Sequence, residues 1–131
     1  MLHLWVLVVW LTVVLLLVVT LLTGRARGKY GIAAPAVSGH PLFERAYRVQ
    51  MNTLEQTVLF LPALWLATQS GHASWAGVLG LVWLVGRVAY VPAYMRHPPS
   101  RHYPFMVAMI ALLLLLILGA WGVARVCFGQ A

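Results

Sequence analysis

The side chains able to do chemistry gather in two short runs. In "ERAYRVQMNTLEQ" (Glu44 to Gln56), Arg48, Asn52 and Glu55 stand at i, i+4 and i+7, with Arg45 just above them. On a helix of 3.6 residues per turn those positions share one face. In "GRVAYVPAY", Arg87, Tyr90 and Tyr94 stand at i, i+3 and i+7, a second single stripe. Both runs adjoin apolar segments, and an ionised side chain at a bilayer centre costs roughly 2.5–3.5 kcal/mol on insertion scales. Internal pairing of Glu55 with Arg87 accounts for part of this charge. A surplus remains, because Arg45, Arg48, Arg87 and Arg101 offer four guanidinium groups against the two carboxylates of Glu44 and Glu55. Guanidinium groups bind carboxylates bidentately, and Glu55 suits an amine. The pattern points to a small zwitterionic or multiply anionic ligand at a membrane edge. Apolar grooves beside it suit a lipid-soluble second substrate.

The elements that position these stripes are membrane spans. Of the 131 residues, 63% are hydrophobic and only 8% charged, which excludes an ordinary soluble domain. A helix needs about 20 mostly apolar residues to cross the hydrocarbon core. That requirement predicts four spans, at 2–23, 43–69, 75–94 and 105–124, in one domain covering 1–131. The first span lacks a basic start and is too long for the apolar region of a signal peptide. "SGHAS" reads as a tight polar turn between the second and third spans, and "MRHPPSRHYP" as a proline-broken loop before the fourth. The fold class is therefore an all-α integral membrane protein, a four-transmembrane-helix bundle.

Four spans put Arg25, Arg27, Lys29, Arg45, Arg48, Arg87, Arg96 and Arg101 on or near one membrane face and leave Arg125 at the other. The positive-inside rule makes the basic face cytoplasmic and both termini external or lumenal. Orientation thus explains most of the +7 net charge, and nucleic acid is not needed as a partner. The five His are scattered over loops and both faces, and the lone Cys127 has no thiol partner, so no metal site is expected. The six Trp read as interfacial anchors or packing residues. No inverted repeat suggests a transporter.

"FERAYRVQMNTLE" and "GRVAYVPAYMRHPPSR" resemble the helix 2 and helix 3 signatures of the MAPEG family, membrane-associated proteins in eicosanoid and glutathione metabolism. The resemblance runs over essentially the whole chain and is closest to the branch of leukotriene C synthase and the second microsomal glutathione transferase. It implies a homotrimer binding the cosubstrate glutathione between neighbouring subunits near the cytoplasmic face. Carried over by position, Arg48, Gln50, Asn52 and Glu55 hold the polar ends of glutathione, Tyr90 and Tyr94 complete the cradle, and Arg87 supports it. Arg27 matches a loop Arg that meets a glutathione carboxylate. Arg101 matches the catalytic Arg that faces the sulfur and stabilises its thiolate. The implied activity is conjugation of glutathione to hydrophobic electrophiles or lipid substrates, with hydroperoxide reduction as a side activity and roles in detoxification and lipid metabolism. The alternative is a non-catalytic, lipid-presenting scaffold resembling the five-lipoxygenase-activating protein. Two departures stand out: Gln56 replaces an aromatic of the synthase branch, and Pro98 and Pro99 interrupt any helix leading to Arg101.

Overall fold

The computed structural model describes residues 3–129, so the start of the first expected span, Leu2, lies outside the described residues. It is all-helical: α1 (Leu4–Tyr30), α2 (Pro41–Thr68), α3 (Ala73–Arg96) and α4 (His102–Phe128), with a 3₁₀ turn at Pro98–Arg101. The helices run up, down, up and down. Helices α2 and α3 pack on each other and on both remaining helices, and α1 and α4 flank the pair on opposite sides.

Local chemistry sets each boundary. Helix α1 ends where Gly31 takes the left-handed conformation, φ 66°, which a residue without Cβ adopts freely. Helix α2 starts with Pro41 in its first turn, and the His40 side chain accepts from the Leu42 amide. Glu44 reaches back to accept from the Gly39 amide at 3.0 Å, so this carboxylate caps a helix and complements its dipole. Gly71, at φ 85°, turns the chain between α2 and α3 against the Arg125 side chain of α4. His97 is extended because Pro98 follows it, and this breaks α3 from the 3₁₀ turn. Ser100 Oγ then donates to Ala93 O at 2.9 Å and His97 O at 2.7 Å, fastening that turn to the end of α3.

Packing follows from the stripes each helix turns inward. Helix α1 buries Val8, Thr12, Leu15, Val19 and Thr23, spaced by three and four residues. The core is centred on Phe60 and Trp83, fully buried and stacked with ring centroids 3.7 Å apart. Small residues bring backbones together, as in other membrane bundles. A Cβ added to Gly86 would lie 3.0 Å from both Pro104 O and Ala108 N of α4. The outside is mostly Leu, Val and Ile, such as Leu17, Leu59, Ile110 and Ile117, a surface made for hydrocarbon.

Among the described residues three helices are long and apolar enough to cross a membrane: α1, α3, and α4 with the turn before it. The protein is therefore an integral membrane protein. Helix α2 does not meet that measure, although the sequence reading expected four spans. Glu44, Arg45, Arg48, Asn52, Glu55 and Gln56 dilute its first half with groups that lipid does not solvate.

Substituting Gly86→Val should lower the melting temperature in mild detergent by about 5 °C or more, since overpacking against backbone typically costs about 1–3 kcal/mol. Gly24→Ala, where an added Cβ meets nothing within 4 Å, should cost no stability. Circular dichroism melts of the two variants side by side check this.

Candidate functional site

The two polar stripes meet. Arg48, Met51, Asn52 and Glu55 of α2, Tyr90 and Tyr94 of α3, and Arg101 of the 3₁₀ turn line one polar cavity of about 190 Å³. Small-molecule sites usually measure roughly 300–1,000 Å³, so a ligand filling this one extends into its neighbours. A second cavity of about 520 Å³ shares Asn52, Tyr90 and Arg101 and adds Pro99, His102, Phe105 and Met106, a more apolar wall. A third, of about 410 Å³, shares Arg48 and Tyr94 and reaches Val37, Pro41, Glu44, Arg45 and Tyr47 at the start of α2. Together they form a groove at the basic end, polar in its middle and apolar toward α4.

Arg101 sits at the boundary between the polar and apolar parts. It is delivered by the 3₁₀ turn, whose carbonyl at Pro98 accepts from its Nη1 at 3.2 Å. Its Cζ lies 5.2 Å from the Tyr94 ring centroid, within cation–π range. The side chain is exposed to the groove, so its remaining donors are free for a ligand.

Arg87 lies behind the wall, with no exposed surface. It does not pair with Glu55. Its Nη2 donates to Thr53 Oγ1 at 2.8 Å, and its Cζ sits 4.0 Å from the Tyr90 ring centroid. Its Nε and Nη1 find no partner among the described residues. Arg87 thus backs Tyr90, which is itself 2% exposed, and Glu55 keeps its carboxylate for the cavity. Asn52 presents another unpartnered group there, its buried Oδ1.

The other site residues expected from sequence lie elsewhere. Gln50, two positions from Arg48, falls on the opposite side of α2 and donates to Thr20 Oγ1 of α1 at 3.2 Å. Arg27 donates to Ala36 O at 2.7 Å and covers the Phe43 ring at 4.8 Å, so it pins the α1–α2 loop and lines none of the three cavities. Arg45, counted above among the surplus guanidinium groups, donates to Met95 O at 2.9 Å and caps the end of α3.

Sequence reasoning missed Thr53, Met51, His102 and Phe105. Nothing local marks Thr53 as the acceptor for Arg87, because that pairing spans two helices. Phe105 carried a usable signal, since it stands four residues after Arg101 and shares its side of the chain where helix continues. Among the described residues no group of three or more His, Cys, Asp or Glu side chains could hold a metal ion.

Known proteins share this arrangement of sequence. The chain is 39% identical over 105 residues to microsomal glutathione S-transferase 2 of Homo sapiens, covering 80% of this chain and 71% of that protein. It is 39% identical over 97 residues to leukotriene C4 synthase of Bos taurus, covering 74% of this chain and 65% of that protein. It is 43% identical over 94 residues to the uncharacterized protein sll1147 of Synechocystis, covering 72% and 69% respectively. The MAPEG family model matches residues 5–121, which covers α2 and α3, most of α1 and α4, and every residue lining the polar cavity. On that match the chain belongs to the MAPEG family.

Proposed function

We propose that this chain is a membrane-bound glutathione transferase that joins the glutathione thiol to a hydrophobic electrophile. The observation that carries the reading is the convergence of Arg48, Asn52, Glu55, Tyr90, Tyr94 and Arg101, from three separate elements, on one polar cavity. Glutathione offers two carboxylates, an amine, amide groups and a thiol, and all but one carboxylate find a complement there. The Arg48 guanidinium suits a carboxylate, Glu55 the amine, and Asn52 and the Tyr hydroxyls the amides. The name of the similar glutathione S-transferase supports the same ligand.

The sulfur belongs at Arg101, where the polar cavity opens into the apolar one lined by Phe105 and Met106. A thiol is a nucleophile only as thiolate, and its ordinary pKa is about 8.5. A guanidinium held against the sulfur lowers that to about 6.5. The thiol gives its proton to water, and the thiolate attacks an electrophilic carbon of a substrate lodged in the apolar cavity. The carbon–sulfur bond forms as a carbon–oxygen or carbon–carbon π bond opens, and the displaced electron pair takes up a proton from water. Held at one edge, the two substrates react at high effective concentration. In a side reaction the same thiolate attacks the terminal oxygen of a lipid hydroperoxide, breaking the O–O bond to release the lipid alcohol and leave glutathione sulfenic acid. A second glutathione converts the sulfenic acid to the disulfide and water.

The working unit is a homotrimer with shared sites. Arg27 and Gln50 support this, because neither reaches the cavity of its own chain and both lie near the same basic end. A neighbouring copy bringing its α1 face against the groove would add them to the glutathione cradle. Helix α2 is the fourth span: its 28 residues reach about 42 Å at 1.5 Å each, and its polar stripe faces α3 rather than lipid. The basic end, and with it the site, faces the cytoplasm, while Arg125 beside Gly71 marks the opposite end.

Titrating glutathione into the detergent-solubilised protein while following thiolate ultraviolet absorbance tests the reading. Binding should produce a thiolate signal at neutral pH. Binding without that signal would favour a lipid-presenting scaffold, and absence of binding would remove glutathione from the site. The Arg101→Ala variant should keep most of its affinity but lose about 20-fold in thiolate fraction at pH 7, as the thiol pKa returns to about 8.5. The loss should shrink as pH rises through that value, because the variant then ionises unaided. A pH–rate profile of kcat for both proteins reads this directly, and parallel profiles would refute the role of Arg101.

Mixed trimers test the shared site. Arg27→Ala and Arg48→Ala subunits, each impaired alone, should on equal co-expression recover about one quarter of wild-type activity, since half-sites assort independently in a closed ring. Recovery no greater than the mean of the two separate variants would mean that each site belongs to one chain.

A further inference from the structure

The structure assigns a second binding site to the basic end: a cleft on the lipid-facing side that takes the phosphodiester head of an anionic phospholipid. It lies where α1, α2 and α3 meet, away from the polar groove, and measures about 220 Å³. Leu22, Leu42 and Met95 form its floor, and Arg25, Lys29 and Tyr30 stand around it.

The register of α1 makes this arrangement. Arg25 and Lys29 are four residues apart and share a face, with Leu22 one turn below them toward the apolar run. Arg27, between them, falls on the far side of the helix and donates to the Ala36 carbonyl. The basic segment of α1 is therefore split, one cation tying down a loop and two directed to the cleft.

Charge balance favours an anion there. The chain has only two side-chain carboxylates, Glu44 and Glu55. Glu44 is bonded to the Gly39 amide and Glu55 lines the α2–α3 cavity, so neither lies in this cleft. Lys29 Nζ rests 5.5 Å from the Tyr30 ring centroid, a contact that leaves its hydrogen-bond donors for a ligand. Two cations and a phenol fit a phosphodiester, and the Leu and Met floor fits the first methylenes of an acyl chain. Exposed Leu21 and Leu22 continue the apolar surface into the membrane. The cations thus stand at headgroup level with their stems along hydrocarbon. A free phosphate would use the cations but not the floor, which is why a lipid is the occupant.

Native mass spectrometry of the intact protein in mild detergent, with phosphatidylglycerol or phosphatidylcholine added, tests this. Phosphatidylglycerol should be retained at one molecule per subunit and phosphatidylcholine should not. The Arg25→Gln, Lys29→Gln double variant should lose about thirtyfold in phosphatidylglycerol affinity. The charge-conserving Arg25→Lys, Lys29→Arg variant should retain it, which separates a lost site from a damaged fold. Equal retention of both lipids, displacement by millimolar inorganic phosphate alone, or unchanged affinity in the Gln variant would each overturn the assignment.

Discussion

Hydrocarbon cannot hydrogen-bond, and the rest of this structure depends on that constraint. Every polar group that α2 and α3 carry into the bundle must find its partner inside the protein or in a ligand. The polar stripe of α2 therefore turns toward α3 and the 3₁₀ turn, and the apolar residues Leu54, Val58 and Leu59 take the outside. The cavity follows from this sorting. Several groups are satisfied by neighbours: Thr57 bonds back to Thr53 O at 2.7 Å, Thr23 bonds across to Ala46 O at 3.1 Å, and Arg45 caps α3. Arg48, Asn52, Glu55 and Arg101 surround one space, while Trp83 Nε1 and two Arg87 donors stay buried without a partner among the described residues behind it.

Rigid elements hold that space open. Helix α3 presses α4 through Gly86 and α1 through Gly77, where an added Cβ would lie 2.9 Å from Trp5 N. Backbone contact at this range fixes the rotation of α3 about its own axis, and so the direction in which Tyr90 and Tyr94 project. The 3₁₀ turn adds the third wall. Its two prolines end any helical path from α3, and its Ser100 bonds return it to the end of that helix. Arg101 is consequently placed by a short, fastened turn.

The sequence made the angular order of each helix legible and left the pairing between helices hidden. Arg48, Asn52 and Glu55 could be read as one stripe and Tyr90 with Tyr94 as another, because side-chain direction along a helix follows from spacing alone. That Arg87 would choose Thr53 over Glu55 could not be read, since it depends on the height at which two helices cross. The same holds for Arg45 and Glu44, which were counted among the charges facing the ligand and prove to be helix caps. Gln50 and Arg27 were expected to meet glutathione between subunits, and within their own chain each bonds to a group on α1 or its following loop. Helix α2 falls short of the apolar measure that the other three helices meet, for a related reason. Hydropathy averages over all faces of α2, whereas its polar residues occupy mainly one.

Arg87 shows how stability and positioning separate. A buried guanidinium with two unpaired donors is costly, and replacing such a charge by a well-packed apolar side chain is often neutral or stabilising. Fold stability therefore does not explain it. Its position does, on the proposed reading. Trp83, Arg87, Tyr90 and Tyr94 succeed one another at spacings of four, three and four, one continuous stripe from the dry Phe60–Trp83 stack to the cavity. Within that stripe the Arg87 charge lies 4.0 Å from the Tyr90 ring, while Thr53 holds the guanidinium from α2. Tyr90 is thereby fixed from behind by both helices whose side chains make the cavity. An apolar residue at 87 would fill the same volume without the contact to the ring or to Thr53, so the charge serves the wall it holds.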